Sequence, residues 1–112
     1  MKIYISIPIT GKDIEEQRKK AQEAERRIYK LGHLPLTPFS VTAPSGLGEK
    51  ETYAYYMGRD IEMLLSCDAV YMADKKWGKS RGCSIEYHTA YIMGMDIFYN
   101  IDDIPKNEDR GK

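Results

Sequence analysis

The stretch Trp77-Gly-Lys-Ser80-Arg-Gly82-Cys83-Ser-Ile-Glu86-Tyr-His-Thr-Ala90 decides how the rest of the chain reads. The apolar run Ala69-Val70-Tyr71-Met72-Ala73 precedes it and reads as a short buried strand. A second apolar run, through Ile92 and Met93, follows it and reads as a helix. A polar, glycine-bearing turn between a strand and a helix N-terminus is where an α/β protein places its chemistry. Glu86 is the odd residue there. With a helix starting near Gly82, the residues Gly82, Glu86, Ala90, Met93 and Gly94 share one side. That side is small and apolar except for one carboxylate, and a charge there is costly without partners or a task. The alternative is a glutamate near a helix start, favoured by the helix dipole and partly solvated.

Working outward, 112 residues make one domain with a single core, assigned to residues 1–105, and a polar tail at 106–112. Seventeen basic residues balance seventeen acidic ones without a basic stripe, which removes the electrostatic footprint of a dedicated nucleic-acid binder. A small phosphorylated ligand remains compatible with this balance, since a few amides and one cation can hold it. Cys67 and Cys83, with no metal-type spacing, fit a reduced cytoplasmic protein. The two histidines are too scattered to build a metal site with them, so no metal and no cofactor are expected. No apolar run is long enough to span a membrane, and the sequence enters a strand at once, with no targeting segment expected. Nine tyrosines against two phenylalanines suit subunit interfaces and polar pockets alike.

Residues 2–7 alternate and are rich in isoleucine, which predicts a central strand ending at Pro8, with a turn at Ile9-Thr10-Gly11-Lys12. Asp13 is the expected N-cap, with Glu16 three residues on, of an amphipathic helix. Its buried face is Ile14, Ala21, Ala24, Ile28 and Leu31, and Gly32 ends it. Residues 33–38 carry two prolines and predict a short edge strand. Residues 39–50 read either as a lid over a site or as an ordinary solvated connection. Residues 51–66 predict a helix whose stripe of Tyr53, Met57, Ile61 and Leu64 contains an acid, Asp60, placed in the N-terminal half of the helix. Burial would raise its pKa and leave it able to donate a proton. A stripe-edge aspartate paired with Arg59 or another cation is the alternative. Residues 67–73 and 96–100 supply two more strands, Ile104-Pro105 caps the sheet, and the tail from Asn107 is expected to be disordered. Strands separated by helix-length connections predict a three-layer α/β fold, Rossmann-like and of the flavodoxin type. Its parallel sheet has about four to five strands and flanking helices.

In such a sheet the ends of the first and third strands meet at one rim. Tyr4, Ser6, Thr10 and Gly11 would then face Trp77, Ser80, Gly82 and Glu86. Two carboxylates, a tyrosine and a small-residue loop suit bond cleavage at an anomeric carbon.

Lys2-Ile3-Tyr4-Ile5-Ser6 with Pro8 and Gly11, then Asp60, Cys67-Asp68-Ala69-Val70, and Ser80-x-Gly82-x-x-x-Glu86-x-x-x-Ala90 with Gly94 resemble the nucleoside 2-deoxyribosyltransferase superfamily. That superfamily includes deoxynucleoside 5′-monophosphate N-glycosidases and small proteins of the DUF4406 type, and the resemblance covers roughly residues 2–100. It implies that Glu86 is the nucleophile at C1′, that Asp60 protonates or orients the departing base, and that Tyr4 holds Glu86 by a hydrogen bond. Ser6, Pro8, Thr10, Gly11, Trp77, Ser80 and Gly82 would then line the substrate. Water as acceptor gives hydrolysis, and a second base gives transfer. The resemblance further implies a homo-oligomer whose site is completed by a neighbouring subunit, with Asn100 the nearest candidate. Pro8, Trp77 and Lys75-Lys76 depart from the pattern of the monophosphate hydrolases. Three rival readings remain at this stage. One is a nucleotide sensor without chemistry, another a thiol enzyme centred on Cys83, and the third a structural oligomer joined by tyrosines.

Overall fold

The computed structural model describes residues 1–107; the tail expected to be disordered lies, from residue 108 on, outside the described residues. Strand β1 (Lys2–Ser6) is followed by α1 (Ile14–Lys30), β2 (Leu34–Leu36), α2 (Glu49–Leu65), β3 (Ala69–Met72), α3 (Arg81–Ile92) and β4 (Asp96–Phe98). Three single 3-10 turns, Pro38–Ser40, Trp77–Lys79 and Ile101–Asp103, sit between or after them. The four strands form one parallel sheet in the order β2-β1-β3-β4, in which Ile3 pairs Ala69 and Ser6 pairs Met72. The order reverses direction between β1 and β3, and the crevice outside their carboxyl ends is where such sheets receive ligands.

β1 is central because both of its faces are apolar. Ile3 and Ile5 pack with Ala24 and Ile28 of α1 and with Ile101 and Ile104, while Tyr4 packs on the other side with Leu64, Val70, Met72, Cys83 and Ala90. The period-2 alternation of a strand therefore sends Tyr4 and Ser6 to the face covered by α2 and α3. Asp68 fastens the entry of this strand pair, accepting a hydrogen bond from the Lys2 amide at 2.8 Å.

α1 starts at Asp13, whose carboxylate accepts from the amides of Glu15 and Glu16. It stops at Gly32, and α3 stops at Gly94; both glycines have positive φ, 92° and 70°. In each case the two residues after the cap close back on the last turn. Gly32 and His33 donate to the carbonyls of Tyr29 and Ile28, and Gly94 and Met95 to those of Tyr91 and Ala90.

Three expectations need correction. Ile14 does not join the buried face of α1; it is half exposed, and Gln17 occupies the inward place, donating from Nε2 to the Pro8 carbonyl at 2.6 Å. The turn after β1 leaves that carbonyl without a sheet partner, so a long amide serves it better than an aliphatic side chain. On α3, Met93 is 61 % exposed, as the helix turns its last residues away from the sheet; Cys83, Glu86 and Ala90 form the buried side. Asp60 lies in the C-terminal half of α2, past the midpoint of the observed helix as of the expected span 51–66; the helix itself starts at Glu49, where the Glu51 carboxylate accepts from the Gly48 amide and closes the first turn. The acid therefore approaches the sheet from below the rim.

Candidate functional site

The site grows from two short-range rules. Alternation along β1 turns Tyr4 and Ser6 toward the helices, and the first turns of α3 place Cys83 and Glu86 three residues apart, facing back. Ser80 fixes the start of α3 by accepting from the Cys83 amide at 3.2 Å. The outcome is a carboxylate, 4 % exposed, gripped on both oxygens: the Tyr4 hydroxyl donates to Oε2 at 2.6 Å and the Ser6 hydroxyl to Oε1 at 2.7 Å. Tyr4 and Ser6 are themselves fully buried.

Burial pushes the Glu86 carboxyl up to about 7; the hydrogen bonds from Tyr4 and Ser6 pull it down, and the charge of Asp60 pushes it up. Asp60, 7 % exposed, is also pushed up to about 7 by burial. Its Oδ1 is buried without a hydrogen-bond partner among the described residues, and Arg59 turns instead to Glu62. The two acids titrate as a pair. Tyr4 and Ser6 favour the ionised form of Glu86, whereas Asp60 Oδ1 accepts no hydrogen bond among the described residues. Tyr4 stays a donor, since burial first and then the Glu86 and Asp60 charges raise its pKa well above the ordinary phenol value.

A family model described as a domain of unknown function, DUF4406, matches residues 1–99. The chain belongs to this family. Among solved structures, the DUF4406 domain shares its fold with the 2-deoxyribosyltransferase of the psychrotolerant bacterium Bacillus psychrosaccharolyticus. The two are 24 % identical with a TM-score of 0.65, over 87 % of this chain and 69 % of that one. A conserved protein from Enterococcus faecalis V583 is similar over 86 % of this chain and 60 % of that one, at 17 % identity and a TM-score of 0.56. No curated protein matches the sequence.

The DUF4406 domain deploys the remaining named residues in different ways. Pro8 is buried and occupied with Gln17, while Thr10 and Gly11 form an exposed turn. Ser80 spends its acceptor on its own helix. Gly82 faces α2, where a β-carbon would lie 3.4 Å from Met57 Sδ, at the near edge of ordinary contact. Trp77 stacks on Tyr87 at 4.5 Å between ring centroids and, more loosely, on Tyr99. The Cys83 thiol is pushed up by burial, which outweighs the hydrogen bonds of Ser6 and Ser80, so it does not present the thiolate that a thiol enzyme needs. His88 is exposed and lies edge-on to Tyr87. Among the described residues, no three of His, Cys, Asp and Glu come together as a metal-ion set, and no helix is long and apolar enough to cross a membrane.

Two features escape the sequence reading. Ser6, assigned there to the substrate, is an anchor of Glu86; period-2 alternation puts it beside Tyr4 and is the signal that was available. Tyr53 Oη is buried without a partner among the described residues, and the Arg81 guanidinium lies over the Tyr53 ring at 5.7 Å. No sequence pattern marks that pair.

Proposed function

We propose that this DUF4406 domain cleaves or transfers the N-glycosidic bond of a nucleoside or nucleoside 5′-monophosphate through a covalent glycosyl–Glu86 intermediate. The observation that carries the reading is the Glu86 carboxylate, buried at the switch point of the sheet and held on both oxygens by Tyr4 and Ser6. The shared fold with a 2-deoxyribosyltransferase supports it. Ionised Glu86 attacks C1′ as the C1′–N bond breaks, and the bonding pair leaves with the base, whose nitrogen takes the proton of Asp60. Water, or a second base, then attacks C1′ and expels the Glu86 carboxylate, and its proton returns to Asp60. Tyr4 and Ser6 favour the ionised carboxylate and aim it, and Asp60 Oδ1, without a hydrogen-bond partner among the described residues, suits a donor awaiting a substrate nitrogen.

The test is base release, followed by chromatography, from nucleosides and their 5′-monophosphates, deoxy and ribo, with and without a second base. Release that depends on Glu86 supports the proposal. Release that survives in Glu86→Ala sinks it, and tight binding without any product favours a nucleotide sensor instead.

The role of Tyr4 is separable from its packing. Tyr4→Phe keeps the ring in the core and removes a hydrogen bond that lowers the Glu86 pKa. Its acid limb in kcat/KM is expected to move to higher pH, with a loss of about tenfold or more near neutrality. An unmoved limb would show that the hydroxyl does not tune Glu86.

A homo-oligomer belongs to the same proposal. Tyr91, Ile92 and Met93 end α3 as three successive exposed apolar residues, 69 %, 79 % and 61 % exposed, next to the stacked rings of Tyr87, Trp77 and Tyr99. Burying such a patch is favourable by about 25 cal/mol per Å². Ile92→Glu is expected to shift sedimentation to the monomer; a wild type already monomeric at high concentration would dismiss this surface.

A further inference from the structure

Two depressions of the described residues do not lie over Glu86. Both lie beside α1 and the segment from Ile101 to Ile104, and the larger also reaches Tyr71 of β3. The larger has a volume of about 360 Å³, within the range of small-molecule sites. Ala24, Ala73, Ile101 and the half-buried Tyr71 give it an apolar floor, and Lys19, Lys20 and Arg27 stand on its wall. Its one acid, Glu23, is already engaged by Arg26. Arg27 reaches Asp102 only at 3.4 Å across exposed ends, while Lys19 and Lys20 make no ion pair among the described residues. The Tyr71 hydroxyl likewise donates to no group among the described residues, and burial keeps it protonated, hence a donor, against the pull of Arg27.

An apolar floor with three cations and a free phenol converging above it is complementary to one chemical class. We infer that this depression is a second ligand site, for a small organic anion with a flat or apolar body and a phosphate or similarly charged head. The body rests on Tyr71 and Ile101, and the head meets Lys19, Lys20 and Arg27, displacing Asp102. The site stands apart from Glu86: on β3, Tyr71 faces it, while Val70 and Met72 pack in the opposite cluster with Tyr4. It therefore holds whether or not the glycosidic reading does.

The experiment titrates the chain with phenyl phosphate, following backbone amides by nuclear magnetic resonance, with inorganic phosphate and benzyl alcohol in parallel arms. Saturable shifts are expected at residues 19–27 and 71–73, stronger for phenyl phosphate than for either control, and weakened by salt. The Lys19→Glu/Lys20→Glu double variant, altered only at exposed positions, should bind about tenfold more weakly or worse, and Lys50→Glu should bind as the wild type. Shifts confined to residues 74–86 overturn the inference, as does failure to saturate at millimolar concentration. Binding that the double variant leaves intact overturns it too.

Discussion

Glu86→Gln is expected to abolish turnover and, above neutral pH, to make the fold more stable. Glutamine matches the shape of the carboxylate: its carbonyl accepts from Tyr4, and its amide can donate to the Ser6 hydroxyl, which accepts as readily as it donates. What is lost is the nucleophile, and kcat should fall by about three orders of magnitude or more. The stability effect follows from linkage. The folded pKa of Glu86, about 7, lies above the ordinary carboxyl value of 4.5, so the folded state holds a proton that the unfolded chain has released between those limits. Stability from this group is therefore fully present below about pH 4.5 and is lost as pH rises through 7, amounting to roughly 2–4 kcal/mol. Glutamine never ionises and escapes that loss. Urea denaturation at pH 5 and pH 8 should show wild type weakening between the two, and Glu86→Gln weakening less. Asp60 acts in the same direction, so the variant keeps part of the slope. A wild type that is stronger at pH 8 than at pH 5 would remove the buried charge from the account.

Asp60→Asn should reshape the pH dependence of catalysis. The wild type needs Glu86 ionised and Asp60 protonated, so kcat/KM is expected to be bell-shaped, with two apparent values near neutrality that belong to the pair. Asparagine has no proton to give, and the rate should drop by about a hundredfold or more. The alkaline limb disappears with the titrating acid. A substrate whose base leaves without protonation should recover most of the lost rate in Asp60→Asn. If every substrate falls equally, or the alkaline limb persists, Asp60 is not the proton donor.

The fold was legible where local physics decides it. The alternation of residues 2–7, the cap at Asp13 and the stops at Gly32 and Gly94 all act within a few residues, and the parallel order follows from helix-length connections. Glu86 stood out for a related reason, a lone charge among small apolar neighbours on one helical face. What the sequence withheld depends on partners far along the chain. The Ser6 hydrogen bond joins residues 80 positions apart, and only the β1–β3 register together with the seating of α3 brings them together. Asp60 was placed at the wrong height although the expected span 51–66 already puts it past the midpoint of its helix, so this was legible in the sequence. The inward Gln17 was hidden because its partner is a backbone carbonyl, which no side-chain pattern announces. Met93 was misassigned because apolarity marked it for burial, whereas the end of α3 leaves the sheet.

The double grip on Glu86 has an evolutionary consequence. A lineage under selection only to keep its chain folded would drift toward glutamine or an apolar residue at this position, since most such changes relieve a buried charge. Tyr4 and Ser6 would then lose their shared partner, and with it the reason to remain hydroxyl-bearing. Descendants that abandon the chemistry should thus lose the three residues together, leaving a recognisable scar across β1 and α3.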